Sequence, residues 1–479
     1  MADRLLRVSL TEDELNGEIG RRIRSLIENN YMVVDLDDKW LNHFRNRTDR
    51  AGRSHVYYGI GKVLDAGSLF AAYTGDPKIA ARTQYILDEL VQSRDPDGYI
   101  GFWKVEPENR QNQINWIPHE QGYITLALVR PYRCTDDPRS LAHARTMGDY
   151  ILKTFPTPRN PCCDPASICT AGLPEAMLEL YRVTGDRRYL DFAADVPHGN
   201  NMREIQLASL RTREQDFSRP PRHVDVMLAR CYAQTELYRL TGEENLLHMS
   251  GFMRNELLKK GEGSLLVTGS CSDGEQFTYD QNGRGRISKS CVTAYLLRWI
   301  DSLMRLEGDL RYGDLLERTI YNALLAANSP DGRWIRYFTP FSGKREYDTR
   351  DFFCYCGNDR RAVAELPQNV YYRTPRGGVG KQIDFALHNA GSHICDATAL
   401  KIRAYADVHR VPDQTDVTEK LRARFHNRLI TPLGSYAELF GAAAHDEDWT
   451  LKVQVRYRRD GAVKCVECAR DAPLDLSQE

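Results

Sequence analysis

Side chains that could carry out catalysis are concentrated between residues 271 and 358. This segment holds Glu275 in a glycine-rich loop, Cys291 at the start of an apolar run, and Cys354 close to Cys356. A thiolate is a competent nucleophile when a cation, a metal or a helix N-terminus lowers the pKa of the thiol. A carboxylic acid can protonate a leaving oxygen when its own pKa is raised. A nucleophile and a proton donor on opposite faces of a sugar are what a retaining glycosidase needs.

A weak internal repeat indicates the elements that must position these side chains. The repeated phrases are Tyr73–Pro77, Cys134–Pro138, Thr184–Leu190, Thr241–Leu246 and Glu307–Tyr312. They recur every roughly 50–65 residues, which leaves room for two helices and two loops. Each phrase places Gly, or Asp at position 136, just past a helix, where a left-handed turn is expected. The acid that follows can cap the next helix.

About six helix pairs in a closed ring predict a mainly α fold, an (α/α)6 toroid, over residues 1–375, with long polar loops gathered at one rim. An open solenoid of helix pairs is the alternative. Residues 376–479 are predicted to form a small C-terminal region that contains β-strands. Residues 451–457 alternate apolar and polar types, as a half-buried strand does, and residues 463–466 can pair with them across the turn at 459–461.

Composition indicates a soluble globular protein and excludes several partners. Of 479 residues, 42% are hydrophobic and 27% are charged, and 65 basic residues balance 66 acidic ones to a net charge of −1. No strong field is expected to attract nucleic acid or an anionic membrane, and no apolar run approaches the length of a membrane span. The first residues lack a signal-peptide pattern, so a cytoplasmic location is expected, and a homodimer is compatible with the sequence.

Several motifs resemble those of the β-L-arabinofuranosidase family, glycoside hydrolase family 127. The motifs are Gly274-Glu275-Gln276-Phe277, Lys289-Ser290-Cys291, Leu316-Glu317-Arg318 with Tyr321-Asn322, and Phe353-Cys354-Tyr355-Cys356. The first three follow one another at the family's spacing without a gap. Residues 55–375 share the resemblance, which implies a toroidal fold and a glycosidase activity.

The resemblance also implies roles for individual residues. In that family a cysteine thiolate is the nucleophile, a glutamate is the acid/base, and Zn²⁺ is bound by one glutamate and three cysteines. Glu275 matches the acid/base, while the nucleophile matches Cys354 in a gapless alignment or Cys356 if one residue is inserted. Cys291 matches a zinc ligand. Glu317 and Tyr337 match positions that contact the sugar.

The chain departs from the family at the zinc site. Lys289 stands where the family has a zinc-binding glutamate, and an ammonium cannot bind a metal. Tyr355 separates two cysteines that are adjacent in the family, so Cys291, Cys354 and Cys356 would supply three sulfurs and leave a fourth ligand unidentified. An alternative hypothesis is that Lys289 replaces the charge of the metal and stabilises the Cys354 thiolate.

The substrate pocket departs as well. The family has a histidine in the phrase Gly-His-Leu where this chain has Tyr123, and a histidine in Gly-His-Pro where it has Leu173. His223 matches a third family histidine. Tyr123 and His223 are therefore candidate sugar-binding residues. The sugar could differ from arabinofuranose, because changes in buried hydrogen-bonding groups alter preference by orders of magnitude.

Structural explanations compete with each of these roles. Glu275 could be solvated, Glu317 could form a helix ion pair with Arg318, and the three cysteines could be buried thiols. His119 beside Glu120, and His223 near Asp225, could equally be structural. Trp103 and Trp116 could stack on sugar or anchor loops.

The sequence therefore predicts a glycosidase for an L-arabinofuranoside or a related small glycoside. Two alternatives stay open: a lyase or other sugar-tailoring enzyme on the same scaffold, and a sugar-binding protein without catalysis. The lost zinc glutamate and pocket histidines motivate both.

Overall fold

The computed structural model describes most of the chain up to residue 373 and the strands beyond it. The described ranges are 3–11, 13–47, 59–112, 116–155, 171–194, 224–258, 265–278, 281, 283–309, 311–373, 383–386, 391–395, 398–408, 411–416, 425–426, 429–430, 449–457, 463–468 and 474–475. His223 and the predicted turn at 459–461 lie outside them.

Fourteen α-helices lie within the described ranges. They are α1 (Glu18–Leu26), α2 (Asn42–Asn46), α3 (Ile60–Thr74), α4 (Pro77–Gln92), α5 (Trp116–Thr135), α6 (Pro138–Thr154), α7 (Leu173–Thr184), α8 (Arg187–Ala194), α9 (Val224–Thr241), α10 (Asn245–Leu258), α11 (Ser290–Glu307), α12 (Arg311–Thr319), α13 (Leu325–Ala327) and α14 (Cys354–Glu365). Wider π-helical turns cover Ile27–Tyr31, Asp37–Leu41 and Ile320–Leu324, and 3₁₀ turns cover Pro107–Asn112 and Leu366–Asn369.

Six of these helices form a closed inner ring. Helix α3 contacts α5, α5 contacts α7, α7 contacts α9, α9 contacts α11, α11 contacts α14, and α14 returns to α3. Helices α4, α6, α8, α10 and α12 each pack on the inner helix that precedes them. The contact between α14 and α3 closes the ring, so the unit is an (α/α)6 toroid and the open solenoid is wrong.

The repeated phrases end and begin helices as the sequence predicts. Gly75, Gly185, Gly242 and Gly308 follow inner helices with φ between 66° and 75°, and Asp136 takes the same position with φ 56°. Such left-handed turns are cheapest for glycine, because it has no Cβ. The following acid caps the next helix; the Lys78 N–H, for example, donates to Asp76 Oδ1 at 2.8 Å.

The strands are short until the C-terminal part of the chain. They are β1 (Leu6–Arg7), β2 (Asp13–Leu15), β3 (Ser272–Asp273), β4 (Gln276–Phe277), β5 (Tyr371–Arg373), β6 (Ile383–Ala386), β7 (Gly391–Cys395), β8 (Thr398–Val408), β9 (Val411–Asp416), β10 (Phe425–His426), β11 (Leu429–Ile430), β12 (Trp449–Tyr457), β13 (Val463–Cys468) and β14 (Leu474–Asp475). An antiparallel sheet has the order β13-β12-β8-β7-β2, with β9 also paired to β8. The predicted pairing of β12 with β13 is present, with Val455 opposite Lys464.

The chain divides into two compact units. One comprises residues 22–366 with the first two residues, and the other comprises residues 3–21 and 367–479. The second unit takes β1 and β2 from the start of the chain, where β1 pairs with β5 and β2 pairs with β7. The division into a toroid over residues 1–375 and a C-terminal region over residues 376–479 stays a prediction.

Candidate active site

The candidate site forms where three inner helices begin. Asp225 lies in the first turn of α9, Cys291 in the first turn of α11, and Cys354 is the first residue of α14. The short hairpin of β3 and β4 carries Glu275, and the backbone N–H of Val224 donates to its carbonyl at 3.0 Å. Helix starts and this hairpin, which are far apart in sequence, therefore supply neighbouring side chains.

Lys289 connects the carboxylates of the site. Its Nζ donates to Glu275 Oε1 at 2.9 Å and to Asp225 Oδ1 at 3.1 Å, and its side chain is only 2% exposed. Tyr337 OH donates to the same Glu275 oxygen at 3.0 Å. Burial opposes the charge of Lys289, but Asp225 and the neighbouring thiols outweigh it and hold the lysine pKa above its ordinary value. Lys289 is thus a fixed ammonium.

Cys291 and Cys354 form a sulfur pair beside this lysine. Their Sγ atoms are 3.6 Å apart, with the Cys291 thiol donating to Cys354. This hydrogen bond, with the charges of Lys289 and Lys62, lowers the pKa of Cys354 despite its burial. Burial and the same sulfur contact raise the pKa of Cys291. The geometry therefore favours Cys354 as the thiolate and Cys291 as its donor.

Cys356 has a different environment. Its Sγ donates to the carbonyl of Arg350 at 3.3 Å, and it packs with Tyr355 in the apolar cluster that also contains Cys291. Burial raises the pKa of Cys356 to about 12. Of the two cysteines that sequence alignment left open as nucleophile, Cys354 has the surroundings that stabilise a thiolate.

A second buried lysine approaches the sulfur pair from α3. Lys62 is 1% exposed, lies 4.2 Å over the ring of Tyr123, and has its Nζ 3.4 Å from His119 Nε2. Arg361 Cζ lies 5.1 Å from the centroid of the Tyr123 ring. Tyr123 is therefore a buried ring beside two basic side chains, and its role as a sugar-binding residue stays a prediction.

Glu120 is a buried carboxyl next to Lys62. It is 1% exposed, and its Oε2 accepts the backbone N–H of Gly59 at 2.9 Å. Within the described part of the chain, no hydrogen-bond partner reaches its Oε1. Burial outweighs the donors and raises the pKa of Glu120 to about 7. The sequence drew attention to Glu120 only as a neighbour of His119.

The donor set does not fit the zinc site implied by the resemblance. Among the described residues, no group of three or more His, Cys, Asp or Glu side chains could hold a metal ion. The sulfurs of Cys291 and Cys354 come together, while the Cys356 thiol faces a carbonyl and Lys289 contributes a cation. A zinc site takes at least three protein ligands, whereas here two sulfurs lie beside an ammonium that already binds the nearby carboxylates.

The remaining candidates have more ordinary surroundings. Glu317 is half-buried on α12, and its contact with a sugar stays a prediction. Trp103 is 2% exposed and packs against Phe102 with ring centroids 3.9 Å apart, which identifies a loop anchor. The side chain of Trp116 lies outside the described residues, as does His223.

Sequence reasoning missed Lys62 and gave no role to Asp225. Lys62 lies in a helix that is buried for most of its length, and a lysine in such a helix is the signal that could have identified it. Asp225 was noted only as a neighbour of His223. Neither spacing nor residue type shows that the two residues converge on the cysteines.

Fold and site together define an (α/α)6 toroid protein with a cysteine–carboxylate site in its helical unit. The family model for the β-L-arabinofuranosidase catalytic domain of glycoside hydrolase family 127 matches residues 43–368, more than half of the chain. The chain therefore belongs to glycoside hydrolase family 127.

Known relatives are distant in sequence. A non-reducing end β-L-arabinofuranosidase of Bifidobacterium longum subsp. longum is 23% identical over 379 residues, covering 68% of this chain and 56% of the relative. The chain thus spans about half the length of that curated relative.

Solved structures share the fold. A family 127 β-arabinofuranosidase superposes with a TM-score of 0.65 at 17% identity, covering 85% of this chain and 68% of the other. A family 127 β-L-arabinofuranosidase from Geobacillus stearothermophilus T6 gives a TM-score of 0.64 at 17% identity, covering 94% and 73%. No helix in the described ranges is both long enough and apolar enough to span a bilayer.

Proposed function

We propose that this protein is a retaining glycoside hydrolase for an L-arabinofuranoside or a related small glycoside. Cys354 is the nucleophile and Glu275 is the acid/base. The observation that supports this proposal is the arrangement around Lys289, whose charge lies beside the Cys354 sulfur and whose Nζ binds the Glu275 carboxylate at 2.9 Å. Membership of the family supports the substrate class.

The reaction proceeds in two displacements. The Cys354 sulfur attacks the anomeric carbon, the bond to the aglycone oxygen breaks, and Glu275 gives that oxygen its proton. Water then attacks the thioglycoside from the same face that the aglycone left. Glu275 takes a proton from the water as the carbon–sulfur bond breaks, so the free sugar leaves and the Cys354 thiolate is regenerated.

The Lys289 ion pair favours one half of the role of Glu275. An ammonium and a phenol both donate to Oε1, and these contacts stabilise the carboxylate that acts as base in the second displacement. The same contacts oppose the protonated form that the first displacement needs. Substrates with good leaving groups, which need little protonation, are therefore expected to react fastest.

A panel of nitrophenyl glycosides tests the proposal. The wild type is expected to hydrolyse an L-arabinofuranoside or a related pentoside, whereas Cys354→Ser should lose about 1000-fold or more in kcat/KM. Glu275→Gln should lose most of its kcat, because the second displacement then has no base, while kcat/KM for nitrophenyl leaving groups should fall much less. Cys356→Ser and Cys134→Ser serve as matched controls and should retain activity. Mass spectrometry of the denatured enzyme after rapid quenching should show the sugar on the peptide that contains Cys354.

Two outcomes would contradict it. Loss of activity in Cys356→Ser, with activity retained in Cys354→Ser, would identify Cys356 as the nucleophile. Absence of turnover across the panel, together with a rise in melting temperature on adding a sugar, would indicate a binding protein instead.

A lyase is the second candidate, and the paired state of Glu275 favours it. A carboxylate held by Lys289 next to the Tyr337 phenol suits removal of a proton from a carbon atom better than protonation of an oxygen. A lyase would create an unsaturated sugar with ultraviolet absorbance and release no water-derived hydroxyl, so incorporation of ¹⁸O from labelled water separates the two reactions.

A further inference from the structure

The most informative departure from the family lies around Lys289. We propose that the Cys291–Cys354 pair of this protein works without a metal ion, and that the Lys289 ammonium supplies the positive charge beside the sulfurs. The proposal rests on the proposed function only for the role of Cys354, and the metal measurements below do not depend on activity.

The position of Lys289 excludes a ligand at this point of the chain. Lys289 is the N-cap residue of α11 and lies two residues before Cys291. Its Nζ is enclosed, with only 2% of the side chain exposed, and it binds Asp225 and Glu275 at 3.1 and 2.9 Å. An ammonium has three donors and no lone pair, so it cannot coordinate a metal.

The carboxylates of the site are already occupied by this cation. Asp225 is 13% and Glu275 29% exposed at the side chain, and each has one oxygen in contact with Nζ. They are the oxygen donors that a metal would need to complete a site with two sulfurs. Binding zinc would require breaking both ion pairs and leaving a buried ammonium without its partners.

The sulfurs alone are too few. The Sγ atoms of Cys291 and Cys354 are 3.6 Å apart, but the third cysteine, Cys356, donates to the Arg350 carbonyl at 3.3 Å. A structural or catalytic zinc site takes at least three protein ligands, and two thiols with an ammonium do not make one.

A second cation adds to the positive charge. Lys62 is buried at 1% exposure, and its side chain packs so closely on α14 that a Cβ at Gly357 would lie 3.0 Å from Lys62 Cδ. The aliphatic part of the Lys62 side chain thus packs on α14 about one turn after Cys354. Lys62 and Lys289 thus both lie buried near the sulfur pair. Burial lowers the pKa of Lys62, whereas Asp225 and the thiols hold the pKa of Lys289 above its ordinary value, so Lys289 is the cation that most strongly repels a divalent ion.

Metal analysis of the full-length protein, purified without chelators from zinc-supplemented medium, tests the proposal. We expect inductively coupled plasma mass spectrometry to find zinc well below one equivalent per chain. Titration with Co²⁺ should produce no cobalt–thiolate charge-transfer absorption. One tightly held zinc per chain that is lost in Cys291→Ser or Cys354→Ser would overturn the proposal.

Lys289→Glu is the decisive variant, with Lys289→Met as its matched control. The glutamate removes the ammonium and adds a carboxylate, so affinity for Zn²⁺ in competition with a chelating indicator should rise by about 10- to 100-fold or more. Cobalt–thiolate absorption should appear with it. The methionine removes the charge and adds only a weak, neutral thioether donor, so it should gain less.

A Lys289→Glu variant that folds but binds no more metal than wild type would contradict the assignment of Lys289 as the excluding group. Circular dichroism and thermal melting establish folding, and if the variant does not fold, the wild-type measurements decide alone. A metal-free wild type that hydrolyses no glycoside would sustain this proposal while the proposed function fails.

Discussion

At the scale of single residues, the site depends on how a few buried charges balance one another. Lys289 is shared by two carboxylates and lies beside a thiol whose pKa is lowered. Because the Lys289 side chain is almost wholly enclosed, its electrostatic interaction with each charged partner is stronger than it would be in water. Removing any one of them should affect the others, so substitutions in this cluster are not expected to be additive.

Tyr337→Phe should distinguish the contribution of the Tyr337 hydroxyl from that of its ring. The ring packs on the cluster of Cys291 and Tyr355, while the OH donates to Glu275 at 3.0 Å. A hydrogen bond to a charged group is worth about 1.5–3 kcal/mol, so the second displacement, in which Glu275 acts as a carboxylate base, should slow by about 10- to 100-fold. The free energy of unfolding should fall by no more than the same amount.

Kinetics on the best nitrophenyl substrate and a urea titration measure the two effects of this substitution. Tyr347→Phe, at a half-buried tyrosine beside Arg336, is the control. Equal losses in both tyrosine variants would show that the hydroxyl of Tyr337 has no special role.

Glu120→Gln should make stability less dependent on pH. Because burial raises the pKa of Glu120 to about 7, the folded protein holds this proton more tightly than the unfolded chain, and stability is lost as pH rises from about 4.5 to 7. At about 1.4 kcal/mol per pKa unit, the cost above pH 7 approaches about 3 kcal/mol. Glutamine avoids this cost and can still accept the Gly59 N–H.

Melting temperatures between pH 5 and pH 8 measure this effect. The advantage of Glu120→Gln over wild type should grow with pH, whereas the exposed control Glu244→Gln should show no such trend. A constant difference across the range would mean that Glu120 titrates normally in the folded protein.

At the scale of elements, buried ion pairs join the helices of the inner ring. Asp65 on α3 is 1% exposed and accepts the Nε of Arg130 on α5 and the Nε of Arg361 on α14, each at 2.6 Å. Arg361 also reaches Glu175 on α7 at 3.3 Å. One carboxylate therefore connects three consecutive members of the ring, including α14, which carries Cys354.

Asp65→Asn is expected to destabilise the toroid by about 3–5 kcal/mol, because it removes the counter-charge of Arg130 and leaves the buried Arg361 with Glu175 alone. Burial pushes the pKa of Asp65 upward, but Arg130 and Arg361 hold it well below its ordinary value. The contribution is therefore present above the unfolded pKa of about 4 and is lost as pH falls below it.

Urea unfolding at neutral and at acid pH measures the Asp65 contribution, and the difference between wild type and variant should shrink in acid. Asp191→Asn is the control. Its ion pair with Arg187 spans 3.6 Å with side chains 58% and 74% exposed, so about 1 kcal/mol or less is expected. A comparable loss in both variants would contradict a special role for the buried network.

At the scale of the whole molecule, the start of the chain belongs to the strand-containing unit. Residues 3–21 group with residues 367–479, and β2 adds to β7 with Leu15 opposite Gly391. Leu15 is fully buried, whereas Leu6 in β1 is 43% exposed. A sheet that takes its edge strand from the far end of the chain cannot complete its hydrogen bonding until both ends are present.

Leu15→Ala should weaken this unit by about 2–5 kcal/mol, because a buried side chain is replaced by a cavity. Hydrogen–deuterium exchange at residues 391–395 should become faster, since β2 protects that edge of the sheet. Leu6→Ala is the control and should leave this exchange nearly unchanged. Unaltered protection of β7 in Leu15→Ala would show that β2 does not hold the edge.

Much of the ring could be predicted from local patterns. Gly75 and Gly308 end helices, and Asp76 caps the next one, because turn and cap preferences depend on residues a few positions apart. Pairing of β12 with β13 was predicted from alternation and a nearby turn. The sequence did not predict that β1 and β2 belong to the C-terminal sheets. Strands of two or three residues are too short to show a pattern that indicates a partner hundreds of residues away.

The residue types of the site, the helix pairs and the family can be read from the amino-acid sequence. It contained Cys291, Cys354, Glu275 and Tyr337, and it showed Lys289 in place of a zinc ligand. That Lys289 binds Asp225, 64 positions away, as well as Glu275 becomes visible when the chain is folded. The reason is physical: hydrogen bonds and charge interactions depend on distances between atoms, and the closure of the ring sets those distances.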